Sequence, residues 1–96
     1  MNIEKYRSPE TDELFDAFLS LKTREECCLF FDDIATVQEI KVMTQRLQIA
    51  KRIYYNNDTY ATISSECGAS VATTSRVKNC IMYGSGGYKL ILDRLR

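Results

Sequence analysis

The sequence predicts an all-α domain of six helices, and three observations lead to this. Apolar residues recur at spacings of three and four through most of the chain, which is the period of a helix with one buried face. Serine and threonine stand at capping positions before these stretches, twice in the pattern T-x-x-E. No stretch of the 96 residues gives a convincing β-strand. We therefore expect residues 1–96 to form a single domain.

Two helices are predicted in the first third of the chain. Ser-Pro-Glu at 8–10 combines a capping serine, a proline suited to the first helical position and an acid near the positive end of the helix dipole. The first helix therefore covers about 9–21. A T-x-x-E motif at 23–26 starts the second, at about 24–34. Apolar residues cover most of the circumference of this second helix, so we expect it to be surrounded by other helices.

The longest helix is predicted at 36–54, and a short one at 88–96. The second T-x-x-E motif, at 36–39, begins the long helix, whose apolar surface is wide enough to need neighbours on two sides. Its remaining face is basic. Three glycines between 84 and 87 interrupt the chain before the last helix, which has apolar residues at i, i+3, i+4 and i+7.

Between them, residues 59–82 have the pattern of a helix-turn-helix. Thr59 can cap a first short helix, Gly68 can end it with a positive φ, and Ser70 can cap a second helix. One face of the second helix holds residues at spacings of three, three and four: Val71, Thr74, Val77 and Ile81. In proteins with this motif the second helix lies in the DNA major groove. An ordinary helical hairpin has the same pattern, so the motif alone leaves DNA binding as one of two interpretations.

The start of the second helix carries side chains that suit DNA. Methyl groups and hydroxyls can reach a thymine methyl, a phosphate or a bridging water, and two cations follow them. The candidate DNA-contacting residues here are Ser70, Val71, Ala72, Thr73, Thr74, Ser75, Arg76 and Lys78.

The charge is divided between the two parts of the chain, although the formal net charge is zero. Residues 1–40 carry four basic and ten acidic side chains, for a net −6, whereas residues 41–96 carry nine basic and three acidic ones, for +6. A local field of this kind attracts a polyanion to the second part. An unevenly charged but merely solvated surface would have the same composition.

Several other classes of protein are excluded or disfavoured. The four cysteines lack C-x-x-C spacing and the chain has no histidine, so no metal site is predicted. We expect these cysteines to be reduced, small apolar residues of the interior. No apolar run is long enough to cross a membrane, and the first residues lack the apolar core of a signal peptide, so a cytoplasmic protein is expected.

No enzyme is predicted, because no nucleophile, acid pair or phosphate-binding loop occurs at a persuasive spacing. The alternative to DNA binding is a helical module that binds another protein through its hairpin. The basic second half and the hydroxyl-rich start of the second helix favour DNA.

Residues 36–96 resemble the Trp repressor family, and in particular the small Trp-repressor-like proteins of Gram-positive bacteria. The resemblance rests on T-x-x-E at 36–39, on Arg46, on Glu-Cys-Gly-Ala at 66–69 and on Val-Ala-Thr-Thr-Ser-Arg at 71–76. It covers about two thirds of the chain, and the first third matches as an equivalent pair of helices.

This resemblance implies an intertwined homodimer and a function in transcription. The helices within 1–57 of one subunit would interlock with those of the other, and a helix-turn-helix would project from each end. The family consists of transcriptional regulators, usually repressors, that bind a roughly palindromic operator in double-stranded DNA. Such a dimer would place its two helix-turn-helix units on half-sites about one DNA turn apart.

The resemblance also implies roles for individual residues at the DNA. By position, Val71, Ala72 and Thr73 would meet the bases, while Ser64 and Ser75 would lie near the phosphates.

The resemblance further implies an effector pocket. In the family the effector is L-tryptophan, held between two arginines that correspond to Arg46 and Arg76, and Thr36 matches a threonine that contacts it. Val77 stands where the family has a glycine, and Cys80 replaces a serine that helps hold the ligand's amino group. These changes fill the pocket and remove a hydrogen-bond partner, so tryptophan is not expected. Any effector would be another small, amino-acid-like molecule, and no cofactor is expected.

The two arginines have a simpler explanation as well. They can pair with carboxylates such as Glu39 or Glu66, or contact phosphates directly.

Overall fold

The computed structural model describes residues 3–96, and six α-helices follow one another in this part of the chain. They are α1 (Pro9–Leu19), α2 (Arg24–Ile34), α3 (Val37–Lys51), α4 (Tyr60–Cys67), α5 (Val71–Tyr83) and α6 (Gly87–Leu95). A 3-10 turn (Ile3–Tyr6) precedes α1, and a π-helical segment (Arg52–Asn56) continues α3. No strand occurs within residues 3–96. The all-α, six-helix prediction is confirmed.

The predicted capping residues begin four of these helices. The side-chain oxygens of Ser8, Thr23, Thr59 and Ser70 each accept a hydrogen bond from the backbone N–H three residues later. At α3 the predicted box is complete, since Thr36 accepts from the Glu39 N–H at 3.1 Å and Glu39 accepts from the Thr36 N–H at 2.9 Å. These bonds satisfy amides that the first turn of a helix leaves unpaired.

The chain divides into two compact units, residues 1–40 and residues 41–96, which we call the first and second units. The division falls inside α3 and coincides with the change in net charge found in the sequence. In the first unit, α1 and α2 pack through aromatic rings: Phe18 stacks on Phe31 and meets the edge of Phe30, with ring centroids 5.6 Å apart in both pairs.

Apolar surface remains exposed in the first unit of this single chain. No residue of α1 or α2 is fully buried, and Leu19 and Leu29 are 82% and 70% exposed. Our expectation that α2 is surrounded is therefore not met within one chain. The expectation of interior cysteines is also wrong for the single chain: all four are free, Cys27, Cys28 and Cys80 are exposed, and Cys67 is half-buried.

The second unit contains the buried core. Its apolar members come from α3, the π-helical segment, α4, α5 and α6: Ile49, Ala50, Ile53, Ile63, Val77, Ile81 and Leu92. Because every helix of this unit contributes, the core fixes α4 and α5 against the end of α3 and against α6.

Two consecutive tyrosines of the π-helical segment hold α6. The Tyr54 hydroxyl donates to Asp93 Oδ1 at 2.7 Å, and the Tyr55 hydroxyl donates to the Leu92 carbonyl at 2.5 Å. The Arg96 guanidinium lies 5.1 Å from the centre of the Tyr55 ring. The long helix predicted to run to about residue 54 thus changes from α to π geometry after Lys51.

No helix among the described residues is both long enough and apolar enough to span a lipid bilayer.

Candidate nucleic-acid interface

The turn between α4 and α5 has the geometry that the sequence predicted. Gly68 ends α4 in the left-handed region, with φ 66° and ψ 28°, where the lack of a Cβ removes the usual steric penalty. The Ala69 N–H donates to the Ser64 carbonyl at 3.1 Å, and Ser70 then caps α5. The chain therefore reverses within three residues and starts α5 at Val71.

The inner face of α5 is buried against the rest of the second unit. Thr74 is 0% exposed, Val77 3% and Ile81 6%, as the spacing in the sequence predicted. The fourth residue of that predicted face, Val71, lies in the first turn of α5 and is 59% exposed. The Thr74 hydroxyl donates to the Ser70 carbonyl at 3.1 Å and lies 3.1 Å from Ser64 Oγ. Since a hydroxyl has one proton to give, Ser64 is the donor in the second bond.

These contacts correct the set of candidate DNA-contacting residues. Thr74 cannot face a duplex because its side chain is fully buried, and its hydroxyl joins α5 to α4 instead. Ser64 is half-buried, and its hydroxyl is directed to Thr74. Thr74 was a candidate because its hydroxyl can bond to DNA, but its position on the apolar face of the helix already indicated that the side chain is buried.

The outer face at the start of α5 is accessible. Ser70, Val71 and Ala72 are exposed, and Val71 is 59% exposed. Thr73 and Ser75 are half-buried beside them. This first turn presents methyl groups and hydroxyls on a small surface that can approach a groove closely.

Two cations flank this surface in different ways. The Arg76 side chain is exposed. Lys78 is half-buried, and its ammonium lies 5.1 Å from the centre of the Tyr60 ring on α4, a distance typical of a cation–π contact. This contact holds the ammonium group of Lys78 beside α4, the other helix of the motif.

The acidic groups of the second unit are already engaged. Arg52 forms ion pairs with Asp58, at 3.1 Å, and with Glu66. Asp93 accepts the bond from Tyr54. The positive field of this unit is therefore carried by side chains other than Arg52.

Arg46 and Arg76 do not pair with the carboxylates suggested by the sequence. Glu66 pairs with Arg52, and Glu39 accepts from Thr36, whose hydrogen bonds hold the pKa of Glu39 below its ordinary value. Within residues 5–96 neither arginine forms an ion pair with a carboxylate.

A cavity of about 160 Å³ brings most of the predicted effector residues together. It is lined by Arg46, Thr73, Arg76, Val77, Cys80 and Tyr88. Four of the five predicted residues line it, and the fifth, Thr36, belongs to the first unit, where it caps α3. Sequence reasoning missed Thr73 and Tyr88 as pocket residues; Tyr88 is the first residue in the apolar spacing of the last helix, and that spacing was the only signal for it.

The cavity combines two guanidinium groups with a half-buried phenol, that of Tyr88. Burial raises the pKa of Tyr88 above its ordinary value, the nearby Cys80 acts in the same direction, and Arg46 and Arg76 act against it. No carboxylate lines the cavity. The described residues form no cluster of histidine, cysteine, aspartate or glutamate arranged to hold a metal ion.

The basic second unit contains a short helix, a left-handed glycine turn and a second helix whose first turn is exposed. These features define a helix-turn-helix protein of the DNA-binding class. Residues 9–96 match the model of the Trp repressor protein family, so the chain belongs to the Trp repressor family. Members of this family are regulatory DNA-binding proteins and not enzymes.

Known proteins similar to this chain agree with that assignment. An uncharacterized protein of Bacillus subtilis strain 168, YerC, is 49% identical over 96 residues, which is 100% of this chain and 91% of that protein. The crystal structure of a candidate Trp repressor from Staphylococcus aureus is 56% identical with a TM-score of 0.91, over 99% of this chain and 94% of the other. A TrpR-like protein from Eubacterium eligens is 39% identical with a TM-score of 0.89, over 96% and 94%.

Proposed function

We propose that this protein is a sequence-specific transcriptional repressor that binds a palindromic operator as a homodimer. The observation that carries the proposal is the division of α5 into a buried inner face and an exposed first turn, within a unit of net charge +6. A helical hairpin with a purely structural role does not require an exposed, hydroxyl-rich helix start within a positive field, whereas a DNA-binding one does.

Exposed apolar surface in the first unit supports the homodimer. Leu19, Leu29 and Val37 are 82%, 70% and 67% exposed in the single chain, and large exposed apolar areas on a protein often mark an interface with another chain. A second copy of the same surface would cover them in a symmetric dimer.

The residues that we propose to meet bases are Val71, Ala72 and Thr73. Ser75, Arg76 and Lys78 are proposed to contact phosphates, with a smaller contribution from Ser64 because its hydroxyl is already engaged. Short side chains at the base-reading positions make few direct hydrogen bonds. DNA shape and bridging water would therefore carry part of the specificity.

Tryptophan is not proposed as the effector. The cavity of about 160 Å³ is smaller than the roughly 300–1,000 Å³ of typical small-molecule sites, and Val77 and Tyr88 both occupy its wall. If those residues exclude the ligand, Val77→Gly combined with Cys80→Ser should create or strengthen tryptophan binding measured by calorimetry. An absence of heat in the double variant, with its fold intact by circular dichroism, would count against equating this cavity with the effector pocket of the family.

The proposal is tested by fluorescence anisotropy of a labelled mixed-sequence duplex at two or more salt concentrations. A DNA-binding protein that contacts several phosphates should lose affinity steeply as salt rises, because it displaces condensed counterions. Lys78→Met should reduce the slope of log affinity against log salt by about 1. Lys22→Met, which removes the same charge from the first unit, serves as the matched control and should leave the slope unchanged.

A helical module that binds protein is the second candidate, and the exposed apolar residues of the first unit favour it. It predicts no DNA binding at tens of micromolar protein and low salt, where non-specific DNA-binding proteins normally bind. That result would remove the main support for a repressor.

A further inference from the structure

A single side chain of α3 reaches the turn of the helix-turn-helix. Gln45 is half-buried, and its amide nitrogen lies 3.2 Å from the carbonyl oxygen of Cys67 and 3.2 Å from that of Gly68. Because both partners are acceptors, the amide must direct its nitrogen toward them, and the two N–H groups of that nitrogen match the two carbonyls. The contact joins residues 22 and 23 positions apart in the chain.

The two carbonyls stand at the joint between α4 and α5. Cys67 is the last residue of α4, and Gly68 is its left-handed cap. Carbonyl groups at the end of a helix have no partner within the helix, so a donor from elsewhere fixes the direction in which the chain leaves it. α5 begins three residues beyond Gly68.

A second polar link to α4 comes from the π-helical segment, where Arg52 pairs with Glu66. Glu66 lies within α4, so this pair holds the helix and not the turn. Gln45 is thus the one side chain of α3 that forms a described hydrogen bond with residues 67–70.

We propose that Gln45 is a positioning residue for DNA recognition, which sets the direction of α5 relative to α3 by holding the turn. This role rests on the proposed function, since Gln45 acts through Val71, Ala72 and Thr73 and does not itself meet DNA. A small rotation at the turn displaces the whole exposed first turn of α5. Loss of the tether should therefore reduce discrimination between sequences more than general affinity for DNA.

The test compares Gln45→Met, which keeps the length of the side chain and removes both donors, with Gln48→Met as a matched control. Gln48 is exposed on the same helix. Duplexes are first selected from a random pool with the wild-type protein, and the affinities of each variant for the selected duplex and for a scrambled one are measured at fixed salt. For Gln45→Met we expect about a tenfold loss for the selected duplex, the equivalent of one to two ordinary hydrogen bonds, with the scrambled duplex and the salt slope unchanged.

A second measurement, which requires no DNA, follows the helices themselves. Residual dipolar couplings of backbone amides report the direction of α5 relative to α3 in solution. They should change in Gln45→Met and stay at wild-type values in Gln48→Met.

The outcomes separate the tether from the proposed function. If Gln45→Met keeps both the wild-type discrimination and the wild-type couplings, or if it loses affinity for both duplexes equally together with its helical signal, the positioning role is refuted. If the wild-type protein selects no duplex at all, the proposed function fails, and the couplings alone then decide whether Gln45 orients α5.

Discussion

Replacing Thr74 with valine removes one hydroxyl from the centre of the helix-turn-helix and keeps the shape of the side chain. The Ser70 carbonyl would remain satisfied, because it also accepts from the Thr74 backbone N–H at 3.1 Å. The Ser64 hydroxyl would lose its acceptor, since it donates to Thr74. Water can reach this half-buried hydroxyl in part, so the cost should stay near that of one ordinary hydrogen bond, about 1 kcal/mol.

For a domain of this size, a loss of that magnitude lowers the thermal midpoint by about 4–8 °C. Urea and thermal denaturation, followed by circular dichroism, measure it directly. The protein concentration must be held fixed, because the stability of the proposed dimer would depend on it. A double-mutant cycle with Ser64→Ala isolates the pair, and we expect a coupling of roughly 0.5–1.5 kcal/mol.

DNA binding provides the discriminating measurement. The buried position of Thr74 requires that Thr74→Val bind both a scrambled and a selected duplex like the wild-type protein, at temperatures where both are folded. A loss of DNA affinity without a loss of stability would indicate that this hydroxyl contacts DNA, and would refute the conclusion that Thr74 is buried away from the duplex. Equal stability of Thr74→Val and wild type would refute the hydrogen-bond argument.

Three further predictions concern other parts of the chain. Gly84→Ala should lower the thermal midpoint, because the new Cβ would overlap the carbonyl oxygen four residues earlier, whereas Gly87→Ala meets open space and should raise stability by up to about 1 kcal/mol. The bond to Asp93 raises the pKa of Tyr54, so the folded protein holds this proton more tightly than the unfolded chain. The contribution of this hydrogen bond to the free energy of unfolding is complete below about pH 10 and is lost at higher pH. The free energy of unfolding of Tyr54→Phe should therefore fall less steeply at alkaline pH than that of the wild type, and parallel curves would contradict this. Arg76→Ala should weaken binding to every duplex and reduce the slope of log affinity against log salt by about 1, because it removes a phosphate contact. A loss of affinity confined to one sequence, measured by anisotropy, would contradict this.

The helices and their ends were largely predictable from the sequence. The limits of α2 agree with the prediction, and Ser8, Thr23 and Ser70 cap helices as expected. The reason is that a cap is a bond between residues three positions apart, so both partners stand in the same short stretch of sequence. The role of Gly68 as the end of α4 was predictable for a similar local reason. This turn requires a residue with positive φ, and glycine adopts that conformation without a steric penalty.

Contacts between distant residues were not predictable in this way. The bonds from Gln45 to the turn and from Tyr54 to Asp93 join residues 22 to 39 positions apart, and nothing local marks the partners. The same limit applies to Tyr88, whose place in the apolar spacing of the last helix did not indicate that it shares a cavity with Arg46 and Arg76.

Thr74 shows how two correct local arguments can conflict. Its spacing placed it on the inner face of α5, and its hydroxyl made it a candidate for DNA. The side chain is buried because its hydroxyl finds partners inside the unit, so the polar group does not require an exposed position. Helix α2 illustrates the converse, since its apolar character was clear from the sequence, whereas no residue of this helix is fully buried in the single chain.

The tyrosines that hold α6 also determine how the chain can be engineered. The pairs Tyr54–Asp93 and Tyr55–Leu92 close loops of 39 and 37 residues, and the entire helix-turn-helix lies between their ends. The motif is thus enclosed by a clasp of two hydrogen bonds that join residues outside the motif itself. A truncation that removes residues 92–96 would delete both acceptors and open this clasp, whereas a change in residues 1–40 would leave its partners in place.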